Sequence, residues 1–145
     1  MGATNAAVRH IQRCIYLLQL AAPSLHPEIT STLLKLGIIY LESGATPLAL
    51  KALWEASQRA LAGGSLALFA SVASHMALAY GEIGLYREAA NWARKCVSVS
   101  ERGEGAGGGG VAETAASPAR ALLRLYIQRS IDFEAAEAAV GKARR

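Results

Sequence analysis

Two stretches of this chain, residues 33–56 and 73–96, repeat each other step for step. Leu36-Gly37-x-x-Tyr40 leads to Gly44, Ala49 and Ala56; 40 positions later Met76-Ala77-x-x-Tyr80 leads to Gly84, Ala89 and Cys96. Every internal step has the same length in both copies. A period of this size with small residues at fixed places is the signature of stacked helical hairpins. Such stacks bury their core between neighbours and present a groove, so binding rather than catalysis is the expected work of the chain.

Composition agrees with helices. At 145 residues the chain has the length of one domain. Its hydrophobic fraction of 52% comes mainly from Ala and Leu, with aromatics at 6%, and Ala and Leu are strong helix formers. β-branched residues are scattered, which argues against strands. The net charge of +4 comes from basic residues spread along the whole chain, the pattern of solvated helix faces; a nucleic-acid patch is the competing reading. Cys14 and Cys96 are too few and too far apart for a disulfide framework. Both are expected to be small buried apolar groups, as free thiols in a reducing compartment. No apolar run approaches the roughly 18–20 residues that span a bilayer, and Met1 to Ala7 lacks the pattern of a secretory signal. Helical pattern begins almost at once, as expected of an excised fragment or a small subunit.

Six breaks divide the chain. Residues 6–21 read as a helix with Val8, Ile11, Ile15, Leu18 and Leu20 toward one face, stopped by Pro23. After a loop at 24–28, a second helix runs from Pro27 to about residue 43 and closes on Gly44. Thr46 is the expected N-cap of a third helix with Pro47 as its first residue, ending near Ala62. Gly63-Gly64-Ser65 breaks it, and Ser65 is a second expected N-cap. The fourth and fifth helices are predicted over 66–82 and 86–101. The Gly-rich run 103–110 makes 102–117 a flexible linker. It is not a phosphate-binding loop, because no strand precedes it and no Gly-Lys-Ser/Thr follows. Ser117-Pro118 is expected to open a helix over 118–129, and Ile131-Asp132-Phe133 to form a turn with Asp132 as N-cap. A last helix over 133–143 completes a C-terminal pair of capping helices, 118–145.

The spacing of small residues explains how such hairpins close. Gly37 and Ala77 are small where the second helix of the hairpin crosses the first, and Ala49 and Ala89 answer them from the other side. Ala56 and Cys96 lie where that second helix meets the next hairpin, and Leu33, Leu36, Tyr40, Leu53, Met76, Tyr80 and Tyr86 fill the space between.

This order, a large residue, Leu-Gly-x-x-Tyr, Gly, Ala, a large residue and Ala, resembles the tetratricopeptide repeat. Gly-Leu-Tyr-Arg-Glu-Ala-Ala at 84–90 matches the turn and the start of its second helix. The usual repeat is 34 residues; the offset here is 40, so helices or loops are longer. Ala7, Ile11 and Cys14 precede Ala49, Leu53 and Ala56 by 42 positions, so residues 6–21 read as a leading half-repeat before repeats 27–62 and 66–101. The stretch Arg9-His10-Ile11-Gln12-Arg13-Cys14-Ile15-Tyr16-Leu17-Leu18, then Pro23-Ser24 and His26-Pro27, resembles the C-terminal repeats of the clustered-mitochondria (Clu) family. Kinesin light chain has a similar long repeat with a His-Pro loop. The second loop here, Gly63-Gly64-Ser65-Leu66, lacks His-Pro. The resemblance implies an all-α, right-handed superhelical array of antiparallel hairpins. It also implies a cytoplasmic protein linked to mitochondrial distribution and messenger-RNA association, in which the repeats bind other proteins.

In that arrangement the groove is lined by Ser31, Leu34, Ile38 and Leu41 in the first full repeat, and by Ser71, Ser74, Leu78 and Gly81 in the second. The Lys and Asn residues that clamp a C-terminal carboxylate in chaperone-binding relatives are missing. A mostly apolar groove suits an amphipathic helix, from a partner or from the chain's own 118–143 segment, for which capping the array is the other reading. Catalytic, cofactor and metal residues are not expected. His10, His26 and His75 are isolated, with no metal-ligand spacing to the cysteines. His26 is expected to cap or pack in its loop, and His75 to be structural or groove-lining. Asp132 is the sole aspartate, a poor basis for a Ser-His-Asp arrangement. Glu42 and Glu82 end matching helices as solvated or rim residues, and Trp54 and Trp92 are expected to pack. The expected function is a non-enzymatic protein–protein scaffold, with no small-molecule substrate and no membrane insertion. One alternative is an RNA-associated adaptor using Arg9, Arg13, Lys51, Arg59, Arg94 and Lys95. The other is a structural subunit of a larger assembly.

Overall fold

The computed structural model describes residues 2–21, 26–104 and 111–144, with side chains throughout except at 103–104 and 111–119. Six helices follow in order: α1 (Gly2–Ala21), α2 (Pro27–Glu42), α3 (Thr46–Ala62), α4 (Leu66–Glu82), α5 (Tyr86–Glu104) and α6 (Val111–Ala143). The protein is all-α; no strand occurs among the described residues. Each helix packs against the next, α5 against α6 included, and α2 also touches α4. The expected linker 102–117 is shortened from both sides by α5 and α6, and its 105–110 portion lies outside the described residues, as does the loop at 22–25.

Three turns are copies of one another. Gly44, Gly64 and Gly84 have φ of +80°, +72° and +82°, the left-handed conformation that favours glycine. After each glycine, the next residue donates its N–H five residues back: Ala45 to Tyr40 (2.8 Å), Ser65 to Ala60 (3.0 Å) and Leu85 to Tyr80 (3.0 Å). The same three residues then accept the first bond of the following helix from Ala49, Phe69 and Ala89. This is the Schellman closure, which satisfies the last carbonyls of one helix while reversing the chain. The glycines are 20 residues apart, so a helix plus a tight turn takes 20 residues and a hairpin takes 40. That is the origin of the period. It also explains why the second junction functions without His-Pro: Gly64 makes the same turn as Gly44 and Gly84.

Caps depart from expectation in one place. His26 Nδ1 accepts the Glu28 N–H at 3.2 Å, so His26 caps α2 as expected, with Pro27 in its first turn. At α3 the cap position falls on Ala45, and Thr46 lies inside the helix. Its hydroxyl, buried, donates instead to Glu82 Oε2 on α4 at 3.3 Å. Ser65 occupies the cap position of α4 without a side-chain capping bond.

The core follows the small-residue pattern. Ala49, Ala56, Ala77 and Ala89 are fully buried, with Ile29, Leu33, Leu53, Val72 and Met76 between them. A Cβ on Gly37 would stand 2.6 Å from Leu53 Cδ2, so the α3 leucine occupies the space a side chain there would need. Trp92 is buried beneath Trp54, edge to face at 6.3 Å, and against Phe69 at 6.4 Å. Both tryptophans pack, as expected. Cys96 is buried, but Cys14 is exposed. Leu20 also departs from its expected face and is exposed. On α1 the residues Ala7, Val8, Ile11, Ile15 and Leu18 are half-buried on the face toward α2, and Cys14 and Leu20 fall off that face at helical spacing.

The last element is one 33-residue helix, not two. The expected turn at Ile131-Asp132-Phe133 is helical, and Asp132 accepts from Gln128 Nε2 at 2.9 Å one turn earlier along the helix. The helix starts at Val111 rather than at Ser117-Pro118, and continues through Pro118. No Gly or Pro lies between 119 and 140 to stop it. It runs antiparallel to α5, with Arg120 to Glu101 (2.8 Å) near one end and Arg87 to Glu134 near the other. Tyr86 and Phe133 meet edge to face at 6.5 Å. Residues after Glu134 extend past the start of α5 and are exposed.

Candidate partner groove

Three helices contribute to one open groove of about 480 Å3. From α2 come Ile38, Leu41 and Glu42; from α4, His75, Leu78, Gly81 and Glu82; from α6, Leu125, Tyr126 and Arg129. Helical spacing explains the first two sets, since residues three and four apart share a face. The third depends on a glycine. Tyr126 lies directly over Gly81, and a Cβ there would stand 2.5 Å from the ring and 2.6 Å from the hydroxyl oxygen. Without that side chain, α6 comes close enough for Tyr126 to be 5% exposed. α6 therefore walls the groove and leaves it open.

The polar groups differ in how far they are engaged. His75 Nδ1 lies 2.8 Å from the Ser71 carbonyl; a carbonyl only accepts, so Nδ1 carries the proton. Glu82 accepts from Thr46 through Oε2. The Arg129 guanidinium stands over the Tyr86 ring at 5.8 Å. Burial pushes the Tyr126 phenol above its ordinary pKa; Arg129 opposes this, and Glu82 and Tyr86 add to it. No hydrogen bond reaches the Tyr126 hydroxyl among the described residues.

Of the seven expected groove residues, Ile38, Leu41 and Leu78 line this groove. Leu34 is half-buried against the core. Ser31 opens on a separate cavity between α1 and α2, beside Cys14, Leu17, Leu18 and Lys35. Ser71 is exposed and Ser74 half-buried, and neither lines the groove. The α6 residues carry an apolar run that was legible, but nothing in the sequence aims Tyr126 at Gly81.

The basic residues of the RNA reading are distributed over α1, α3 and α5. Arg9, Arg13 and Lys51 are exposed. Arg59 is half-buried and paired with Glu55 at 3.1 Å, and Arg94 donates to the Asn91 side chain at 3.4 Å. Lys95 Nζ lies 4.2 Å above the Trp92 ring. Trp54 is 53% exposed on α3, a stackable ring that the sequence reading assigned to packing alone. The Cys96 thiol is pushed above its ordinary pKa by burial, against a hydrogen bond with Ser100. Among the described residues no three His, Cys, Asp or Glu side chains gather as a metal set, and no helix is long and apolar enough to cross a membrane. Compared with known proteins, the chain matches no family model and no curated protein.

Proposed function

We propose that the chain is a non-enzymatic protein-interaction scaffold, a tetratricopeptide-type array that holds an amphipathic helix of a partner protein in the groove across α2, α4 and α6. The observation that carries this reading is the groove itself: an open trough whose apolar residues Ile38, Leu41, Leu78 and Leu125 come from three successive non-adjacent helices. A partner helix laid there buries apolar side chains at i, i+3, i+4 spacing, the usual economy of helix-in-groove binding. The resemblance to the Clu family adds a cytoplasmic site of action, near mitochondria, to this reading. A library of 16-residue peptides with amphipathic helical patterning, selected against the full chain, tests it. Recovered peptides are expected to lose about tenfold in affinity on Leu78→Asp, a loss of the size that follows from one apolar contact replaced by a buried charge. Leu61→Asp, on an exposed α3 position away from the groove, is the control and is expected to change nothing. Recovery of no peptide sensitive to Leu78→Asp sinks the reading.

A second reading rests on Trp54, an exposed indole one helical turn from Lys51. Single-stranded RNA stacked there gives binding that falls steeply with salt and is lost on Trp54→Ala. Binding unchanged by either removes it.

A further inference from the structure

The two carboxylates of the groove are placed where a helix least tolerates them. Glu42 and Glu82 each end their helix, α2 and α4, at equivalent repeat positions 40 apart. The last turn of a helix presents carbonyl oxygens and the negative end of the macrodipole, so an anionic side chain there is disfavoured and a cation favoured. Neither α2 nor α4 has a basic residue in its last turn to offset this. The two helix ends and the two carboxylates open on the same groove, which concentrates negative potential at one end of it.

The groups already present leave that potential uncompensated. Arg129, the cation that lines the groove, has its guanidinium over the Tyr86 ring. Thr46 takes one oxygen of Glu82 and leaves the other. Tyr126 supplies the independent sign of a missing partner: the side chain is 5% exposed and lines the groove, and among the described residues its hydroxyl has no hydrogen bond. Buried polar groups are nearly always paired, so such a hydroxyl needs an explanation. An ammonium has three N–H donors and no acceptor; a phenol oxygen and two carboxylates are the acceptors it needs.

We infer that the partner helix carries a lysine or arginine beside its apolar side chains, and that this cation is received at the end of the groove formed by Glu42, Glu82 and the Tyr126 hydroxyl while the apolar residues rest on Leu41 and Leu78. The inference rests on the groove being the partner site. It gives the interaction a direction, because the cation fixes which end of the helix lies at the carboxylates.

The peptides selected against the full chain supply the test. Their aligned sequences are expected to be enriched in Lys or Arg at one position, three or four residues from a large apolar one. Replacing that residue by Gln in the tightest peptide is expected to weaken binding to the native protein about tenfold, the size of one charge-assisted contact. On Glu42→Gln/Glu82→Gln, an exposed pair whose helicity is checked by circular dichroism, the same replacement is expected to change affinity less than twofold. Tyr126→Phe keeps the ring over Gly81 and is expected to weaken the lysine peptide while leaving the glutamine peptide unchanged. Peptides that depend on Leu78 but show no cation preference, or that lose equally on native and double-variant protein, overturn the inference and leave the groove reading standing. Equal binding of the lysine peptide to native protein and Tyr126→Phe removes the hydroxyl from the site. Recovery of no Leu78-dependent peptide overturns both.

Discussion

Two glycines show what a missing side chain does in this protein. Gly37 lets Leu53 of α3 lie against the backbone of α2, and Gly81 lets Tyr126 of α6 lie against α4. The first was legible in the sequence, because Gly37 belongs to a motif whose second copy has Ala77 at the equivalent place. The second was not, because Tyr126 is 45 residues from Gly81 and belongs to no repeated pattern. Gly37→Ala tests the first contact. Alanine favours the helix by up to about 1 kcal/mol over glycine, which alone would stabilise. The new Cβ, however, would stand 2.6 Å and 2.7 Å from Cδ2 and Cγ of Leu53, and Leu53 is fully buried with nowhere to turn. Overpacking of this kind costs roughly 1–3 kcal/mol. The expected outcome in urea unfolding is a net loss of about 1–2 kcal/mol, with the unfolding slope unchanged. A variant more stable than the native protein would mean that the two helices do not approach so closely.

At the scale of elements, the turns were the most legible part and the last helix the least. Gly44 and Gly84 announced their turns, and the structure adds Gly64 as the third of a 20-residue series. A glycine forced into positive φ carries its signal locally, so sequence alone suffices. The region after Arg129 misled for a physical reason: Ser130-Ile131-Asp132 carries the residue types of a helix stop and restart, yet Asp132 is equally served as an acceptor from Gln128 within one helix. Only packing against α5 decides between these, through Arg87 with Glu134 and Tyr86 with Phe133. Ile131→Pro distinguishes the two arrangements. In a continuous helix it removes a backbone bond and clashes with the preceding turn, at about 3 kcal/mol or more. The expected outcome is a clear drop in both ellipticity at 222 nm and melting temperature. An unchanged melting temperature would restore the turn.

Across the whole molecule, stability follows from the order of the stack. Each helix draws its burial mainly from the one before and the one after, so the free energy is close to a sum over neighbouring pairs. The middle of the stack is well supplied: α3 buries Ala49, Leu53 and Ala56, α4 buries Val72, Ala73 and Met76, and α5 buries Ala89, Trp92 and Ala93. α1 has no buried residue and leaves Tyr16, Leu17 and Leu20 exposed, although its own hydrophobic pattern is strong. A sequence shows that such a helix forms a face, but not how much of that face a neighbour covers; this is why Cys14 was expected inside and is outside. Amide exchange converts the difference into a measurement. Residues 2–21 and 136–143 are expected to exchange by local opening at low free energy, far below the global value, and residues 49–60, 69–80 and 89–96 to exchange last. The groove then has walls of unequal firmness: Leu78 and Gly81 lie on α4, the best-buried helix, whereas Leu125 and Tyr126 depend on the docking of α6. A bound helix touching all three walls therefore ties α6 to the rest, and selected peptide should raise protection most in 120–134 and least in α1. Uniform protection from α1 to α6 without peptide, or peptide-induced protection confined to α1, would contradict the neighbour-by-neighbour account and the three-helix groove together.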